Sequence, residues 1–343
     1  MAEPETQHGR GGGLTRRHFL AAGALGLAGT AGARWLFDAN EAGQSAAVWL
    51  GRAEHYQLEL GELIARGLAE LGIGAGQVQG KRVLLKPNLV EPHAGAGHIN
   101  THPLVVRGAI EAFLRLGARQ VLVAEGQGHR RDSLLVLEES GLAEVLLEDD
   151  IPYLDLNHEP LVTLPNAGTG EPLTELSFPR VLREVDWVVS LAKLKTHHWA
   201  GATLSMKNLF GVMPGRVYGW PKNTLHWAGI DRSIYDIAAT LRPQLAIVDG
   251  IVGMEGDGPI LGTPKPAGVL AMGTNLPALD ATCCRVMGID PLALPYLAAS
   301  SGRLGPVRGR NIEQRGEAPE RMRSDFRLID TIPAHQGIRL APA

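Results

Sequence analysis

Lysine, histidine, asparagine and acid recur at four places in this sequence, each directly behind a short apolar run. Behind Val83-Leu84-Leu85 come Lys86 and Asn88. Behind Val121-Leu122-Val123 comes Glu125-Gly126-Gln127-Gly128-His129. Behind residues 187–191 come Lys193, Lys195 and His197. Behind residues 245–248 come Asp249 and, within a glycine-rich stretch that closes on Pro259, Glu255. A lysine at such an exit is a point charge for a carboxylate or phosphate. Lys86, Asn88, Lys193, Lys207 and Asn208 are therefore the candidate substrate-binding residues. Lys195, His197 and Glu255 are the candidate catalytic residues, because an ammonium stabilises developing negative charge while imidazole and carboxylate move protons. His197, Asp249 and Glu255 also offer a mixed imidazole–carboxylate set suited to a divalent metal. Each residue has a plainer reading beside the chemical one. A lysine can be ordinary surface charge, Asn208 can cap a turn that Gly211 ends, and the stretch 249–259 can be a solvent-exposed loop with incidental acids.

The elements that must hold these residues are legible as alternating strand and helix. Apolar residues at helical spacing mark 58–71, and Pro near the first turn with Gly117 past the end marks 103–116. Further helices are predicted over 133–142, 202–210, 233–241 and 279–287, with strands at 82–85, 120–123, 187–191, 245–248 and 268–272 and short strands and loops through 151–180. Such alternation predicts an α/β fold, a mostly parallel sheet with helices on both faces and loop-rich insertions. Ligands of open parallel sheets bind outside the carboxyl ends of the strands, so the four exits form one cleft if their strands are parallel neighbours. Lys193 and Lys195 alternate along one strand and are expected to share a face. His93, His98, His102, His129, His198 and His226 fall in or near the same loops. There is no GxGxxG opening a helix, no GxxxxGK[ST], no HExxH and no GxSxG, so dinucleotide, P-loop, zincin and serine-hydrolase readings lack their signatures.

Composition narrows the class. The net charge is −3, charged residues make up 20% and aromatics 5% of 343 residues. That leaves no basic field or basic–aromatic stripe for nucleic acid. Cys283 and Cys284 are vicinal, which disfavours a structural disulfide, and two cysteines are too few for an all-cysteine iron–sulfur cluster. Thr15-Arg16-Arg17-His18-Phe19-Leu20 ahead of a short Gly/Ala-rich apolar run reads as a twin-arginine signal over residues 1–33. The run is too short to span a bilayer. Residues 34–343 then form a single domain with a polar tail 301–343. The expected location is periplasmic or otherwise extracytoplasmic, and the expected partners are the export machinery and a small anionic ligand.

Several of these segments together resemble the domain-of-unknown-function 362 family. They are Val83-Leu84-Leu85-Lys86-Pro87-Asn88-Leu89-Val90, Thr101-His102-Pro103, Ala192-Lys193-Leu194-Lys195-Thr196-His197, Met206-Lys207-Asn208-Leu209-Phe210-Gly211, Val248-Asp249-Gly250-Ile251 and Met254-Glu255-Gly256 with Gly258-Pro259. Some members join this domain to a ferredoxin-type module, and no Cys-rich segment of that kind stands in this chain. The resemblance implies a core over residues about 50–290, supports the place of the site and leaves the reaction open. Three functions follow as expectations: an enzyme acting on an anionic small molecule, a non-catalytic envelope protein holding a metal or anion, and a redox protein loaded with a cofactor before export.

Overall fold

The computed structural model of the chain describes residues 41–93, 95–128 and 132–341. The signal region 1–33 and His129 lie outside the described residues. The chain enters a sheet through β1 (Ala46–Arg52) and continues through β2 (Arg82–Pro87), β3 (Gln120–Glu125) and β4 (Tyr153–Asp155). A separate hairpin follows, β5 (Leu161–Pro165) with β6 (Glu175–Pro179). The main sheet resumes with β7 (Trp187–His197), β8 (Gly201–Thr203), β9 (Leu245–Glu255), β10 (Thr263–Gly273) and β11 (Ile312–Gly316). Its spatial order is β11-β1-β10-β9-β7-β2-β3-β4, with β8 paired to β7. Along that path only β10 runs antiparallel to its neighbours.

Helices cover both faces. On one lie α1 (Leu60–Glu70), α2 (Pro103–Arg115), α3 (Ser133–Glu139) and α4 (Leu142–Glu148). Their apolar stripes, Leu60, Leu63, Ile64 and Leu68 on α1 among them, pack with Val83, Leu85 and Val123 of the sheet. On the other lie α5 (Ser205–Asn208), α6 (Ile230–Leu241) and α7 (Leu276–Val286), where Ile234, Ile237 and Leu279 pack with Leu84, Leu122 and Ala192. The central strands are buried on both sides, which is why they read as continuous apolar runs and not as alternations. Cys283 and Cys284 are free thiols buried in α7.

Three local expectations change. The predicted helix 133–142 is two helices, because Gly141 takes φ 75° and turns the chain between them. β7 does not stop at Leu191 but runs on to His197, and β9 runs through the glycine-rich stretch to Glu255. The segment 249–255 is thus strand and not loop. Beyond Asp249 the register of β9 on β7 jumps, so that Asp249 faces Lys193 while Met254 faces Lys195. Of the segment 202–210 only α5 is α-helical, with β8 before it.

Candidate functional site

The four strands whose exits carry the chemical residues are neighbours in the sheet, in the order β9-β7-β2-β3, and mutually parallel. Their carboxyl ends therefore open on one edge, and the loops behind them enclose a cavity of about 260 Å³. Lys86, Asn88, Lys195, His197, Lys207 and Asn208 all line it, as does Glu125. Trp199, Phe210, His226, Pro221 and Ile260 add an aromatic and apolar share to the lining.

Lys86 is fully buried at the end of β2 and its ammonium is saturated. It donates to Glu125 Oε2 at 2.6 Å, Asn208 Oδ1 at 2.8 Å and the carbonyl of Pro87 at 2.7 Å. Burial pulls its pKa down, and the Glu125 carboxylate pulls it back. Glu125 also accepts from the backbone N–H groups of Leu89 and Gly126. Gly211 covers the pair, and a Cβ there would overlap Glu125 Oε1 and the end of Lys86. Asn208 is equally occupied: it accepts from Lys86 and from Asn88 Nδ2 and donates to the Lys86 carbonyl and to Ser190 Oγ.

α5 delivers Asn208 and Lys207. Its first turn is fastened by Asp280 of α7, which accepts from Ser205 N at 2.8 Å, from Met206 N at 3.0 Å and from the Ser205 hydroxyl. Burial raises the Asp280 carboxyl to about 7. Lys207 makes no hydrogen bond among the described residues. Its Nζ stands 3.8 Å from the centre of the Phe210 ring. Desolvation, with Lys86 nearby, brings its pKa down to about 7 although Glu125 opposes the shift. Lys222 forms another wall. It donates to the carbonyls of Gly126 and Met213 and to Asn157 Oδ1, and burial brings it also to about 7. Lys195 donates to the carbonyls of Ile99 at 2.9 Å and Pro259 at 3.2 Å, and burial among Lys193, Lys207 and Lys86 pushes its pKa far down. His197 uses Nδ1 to accept from Trp199 N and Ala200 N, which leaves Nε2 to carry the ring proton. Burial holds it neutral, with Lys207 and His198 adding to the effect. Two buried polar atoms of lining residues, Asn88 Oδ1 and Thr203 Oγ1, have no partner among the described residues.

The structure parts Lys193, Asp249 and Glu255 from this cavity. Lys193 donates to Asp249 Oδ2 at 2.8 Å and to Tyr56 Oη at 2.9 Å. Asp249 further accepts from Tyr56, His102 N and Ile251 N, so both its oxygens are occupied. Lys193 and Lys195, two residues apart, thus serve different partners. Glu255 lies at the far end of β9, where it accepts from Arg327 N at 2.9 Å and faces Lys265 at 3.7 Å. Its carboxylate is engaged there and does not line the cavity, and among the described residues no three His, Cys, Asp or Glu side chains gather as a metal would require. The histidines divide too. His197, His198 and His226 line the cavity, while His93, His98 and His102 line a second hollow of about 480 Å³ beside Tyr56.

Sequence reasoning passed over two residues. Glu125 was noted behind its strand but given no role. Lys222 follows Trp220-Pro221 with no strand ahead of it and takes φ 71°. A count would have found it. The chain has seven lysines against twenty-six arginines, and four of the seven line this one cavity. Arginine stays charged, whereas lysine can give up its proton; the cavity is built from the cation that titrates.

Residues 83–285 match the family described as "Domain of unknown function (DUF362)". A thylakoid-associated protein of Synechocystis sp. is 31% identical over 271 residues, which are 75% of this chain and 79% of that protein. A crystal structure of a Thermotoga maritima protein aligns at 16% identity with a TM-score of 0.39, over 65% of this chain and 58% of that one. The chain belongs to the domain-of-unknown-function 362 family.

Proposed function

We propose that this family member is an exported enzyme acting on a small carboxylate- or phosphate-bearing molecule held in the lysine cavity, with Lys207 as the group that moves a proton. One observation carries the reading. Among the described residues Lys207 is an amine without a hydrogen-bond acceptor, set in a cavity lined by three further lysines and one carboxylate. Buried cations in excess are costly unless an anion joins them. A lysine held near 7 exchanges its proton at neutral pH, as an acid–base catalyst must. The unpartnered Asn88 Oδ1 and Thr203 hydroxyl add places for an O–H or N–H of the ligand. Lys86, Lys195 and Lys222, each tied to fixed acceptors, hold their N–H groups in place around the anion. The export part of the proposal rests on Arg16-Arg17 and the apolar run behind them. Among the described residues no helix is long and apolar enough to cross a membrane.

The test is a thermal-shift series with phosphate, malate and phenylpyruvate, followed by product analysis of whichever compound stabilises the protein. The proposal expects stabilisation by anions, lost in Lys207→Met, and turnover of the stabilising compound. Stabilisation without turnover of any such compound would support a passive binding protein. No stabilisation by any anion would remove the reading altogether. Elemental analysis of the protein, prepared without chelator, checks the further proposal of a divalent metal.

A further inference from the structure

We infer that Lys207 is a covalent nucleophile, whose amine adds to the carbonyl carbon of a 2-oxo acid held in the cavity and forms an imine with it. The inference rests on the anion-site reading above and narrows its substrate class to anions that carry a ketone or aldehyde.

The lysines of the cavity differ in their freedom. Lys86 and Lys222 each donate to three acceptors and Lys195 to two. Among the described residues, only Lys207 of these four has Nζ free of acceptors, lying against the Phe210 ring. An amine attacks through its lone pair, so it must be neutral and unencumbered. Desolvation and the neighbouring Lys86 supply the first condition and the missing acceptors the second. Other nucleophiles are poorly placed: Cys283 and Cys284 are buried in α7, away from the cavity lining, and burial raises both thiols.

The step balances without an outside oxidant. The Nζ lone pair bonds to the carbonyl carbon as the C=O π pair moves to oxygen, and a proton passes from nitrogen to that oxygen to give the carbinolamine. The C–O bond then breaks with the help of one proton, releasing water, and the nitrogen lone pair closes the iminium. Lys222, another lysine of the cavity held near neutrality, is a source for that proton. The unpartnered Asn88 Oδ1 lies in the lining to accept from the carbinolamine hydroxyl. Trp199, Phe210 and Pro221 shield the iminium from bulk water. The substrate carboxylate stays among the cations.

The experiment is reductive trapping. The full chain is incubated at pH 7 with pyruvate or phenylpyruvate and cyanoborohydride, and adducts are mapped by peptide mass. At that pH an amine with pKa near 7 is about half neutral, against roughly one part in 2,500 for an ordinary lysine. Labelling of Lys207 is accordingly expected on the order of a hundredfold faster than of the exposed Lys81. It should vanish in Lys207→Arg, and phosphate should protect the wild type, a control that holds even if the variant folds poorly. Labelling of Lys207 at the Lys81 rate, or without protection by phosphate, overturns the inference. If malate still stabilises the protein while no imine is trapped, the imine fails and the anion site stands. If neither occurs, both fail.

Discussion

Two buried lysine–carboxylate pairs stand at adjoining strand exits, and they differ in what is left over around them. In the first, Lys193 and Asp249 share Tyr56, and the backbone N–H groups of His102 and Ile251 complete Asp249. In the second, Lys86 and Glu125 are as tightly joined, at 2.6 Å. Around them remain a cavity and, among the described residues, Lys207 without an acceptor and Asn88 Oδ1 and Thr203 Oγ1 without partners. A buried charge at a strand exit is thus no sign of function in itself. The sign is hydrogen-bonding capacity that the protein does not use up.

Removing a carboxylate from either pair gives the largest effect, since it strands a buried ammonium at a cost of about 3–5 kcal/mol. Asp249→Asn and Glu125→Gln should therefore destabilise alike in urea titrations. Phosphate should restore much of the loss in Glu125→Gln, whose stranded Lys86 lines the cavity, and little in Asp249→Asn. Equal rescue of both would erase the distinction between the regions. Next, Lys207→Met removes a charge-assisted contact worth about 1.5–3 kcal/mol. Anion affinity should fall about ten- to a hundredfold by calorimetry while the melting temperature holds or rises. Gly211→Ala should cost about 1–3 kcal/mol, because a methyl there collides with the Lys86–Glu125 pair. The smallest effect is expected of Asp280→Asn, about 1 kcal/mol for a weakened helix cap. The Asp280 carboxyl is raised in the folded state to about 7, so its contribution is full below the unfolded value and fades as pH climbs through 7. The wild type should lose stability over that window and the variant should not.

That β2, β3, β7 and β9 are strands was legible in their apolar runs, and the candidate site lies where those runs end, but their order in the sheet was not legible. Lys86, Asn88, Lys195, His197, Lys207 and Asn208 could be named from residue type and place alone. The fates of Lys193, Asp249 and Glu255 could not, because they depend on pairing between strands far apart in sequence. The regular pairing of β9 on β7 sets Asp249 beside Lys193, and Glu255 is taken up by Arg327 N and Lys265. Alternation along β7 relates Lys193 to Lys195 but says nothing of Tyr56, which arrives from 137 positions earlier in the chain to complete the first network. The pairing of β1 with β11 was invisible for the same reason: 266 positions separate Ala46 from Ile312.

The most direct test of the central claim is proton uptake on anion binding. Phosphate is titrated calorimetrically at pH 8 in two buffers of different ionisation heat, with wild type and Lys207→Met. Lys207, brought by desolvation to about 7, is mostly neutral at pH 8 and must be protonated to pair with the anion. The account expects uptake approaching one proton more in the wild type than in the variant, with affinity falling as pH rises above 7. Binding of equal strength in both proteins, with no difference in proton uptake, would contradict it.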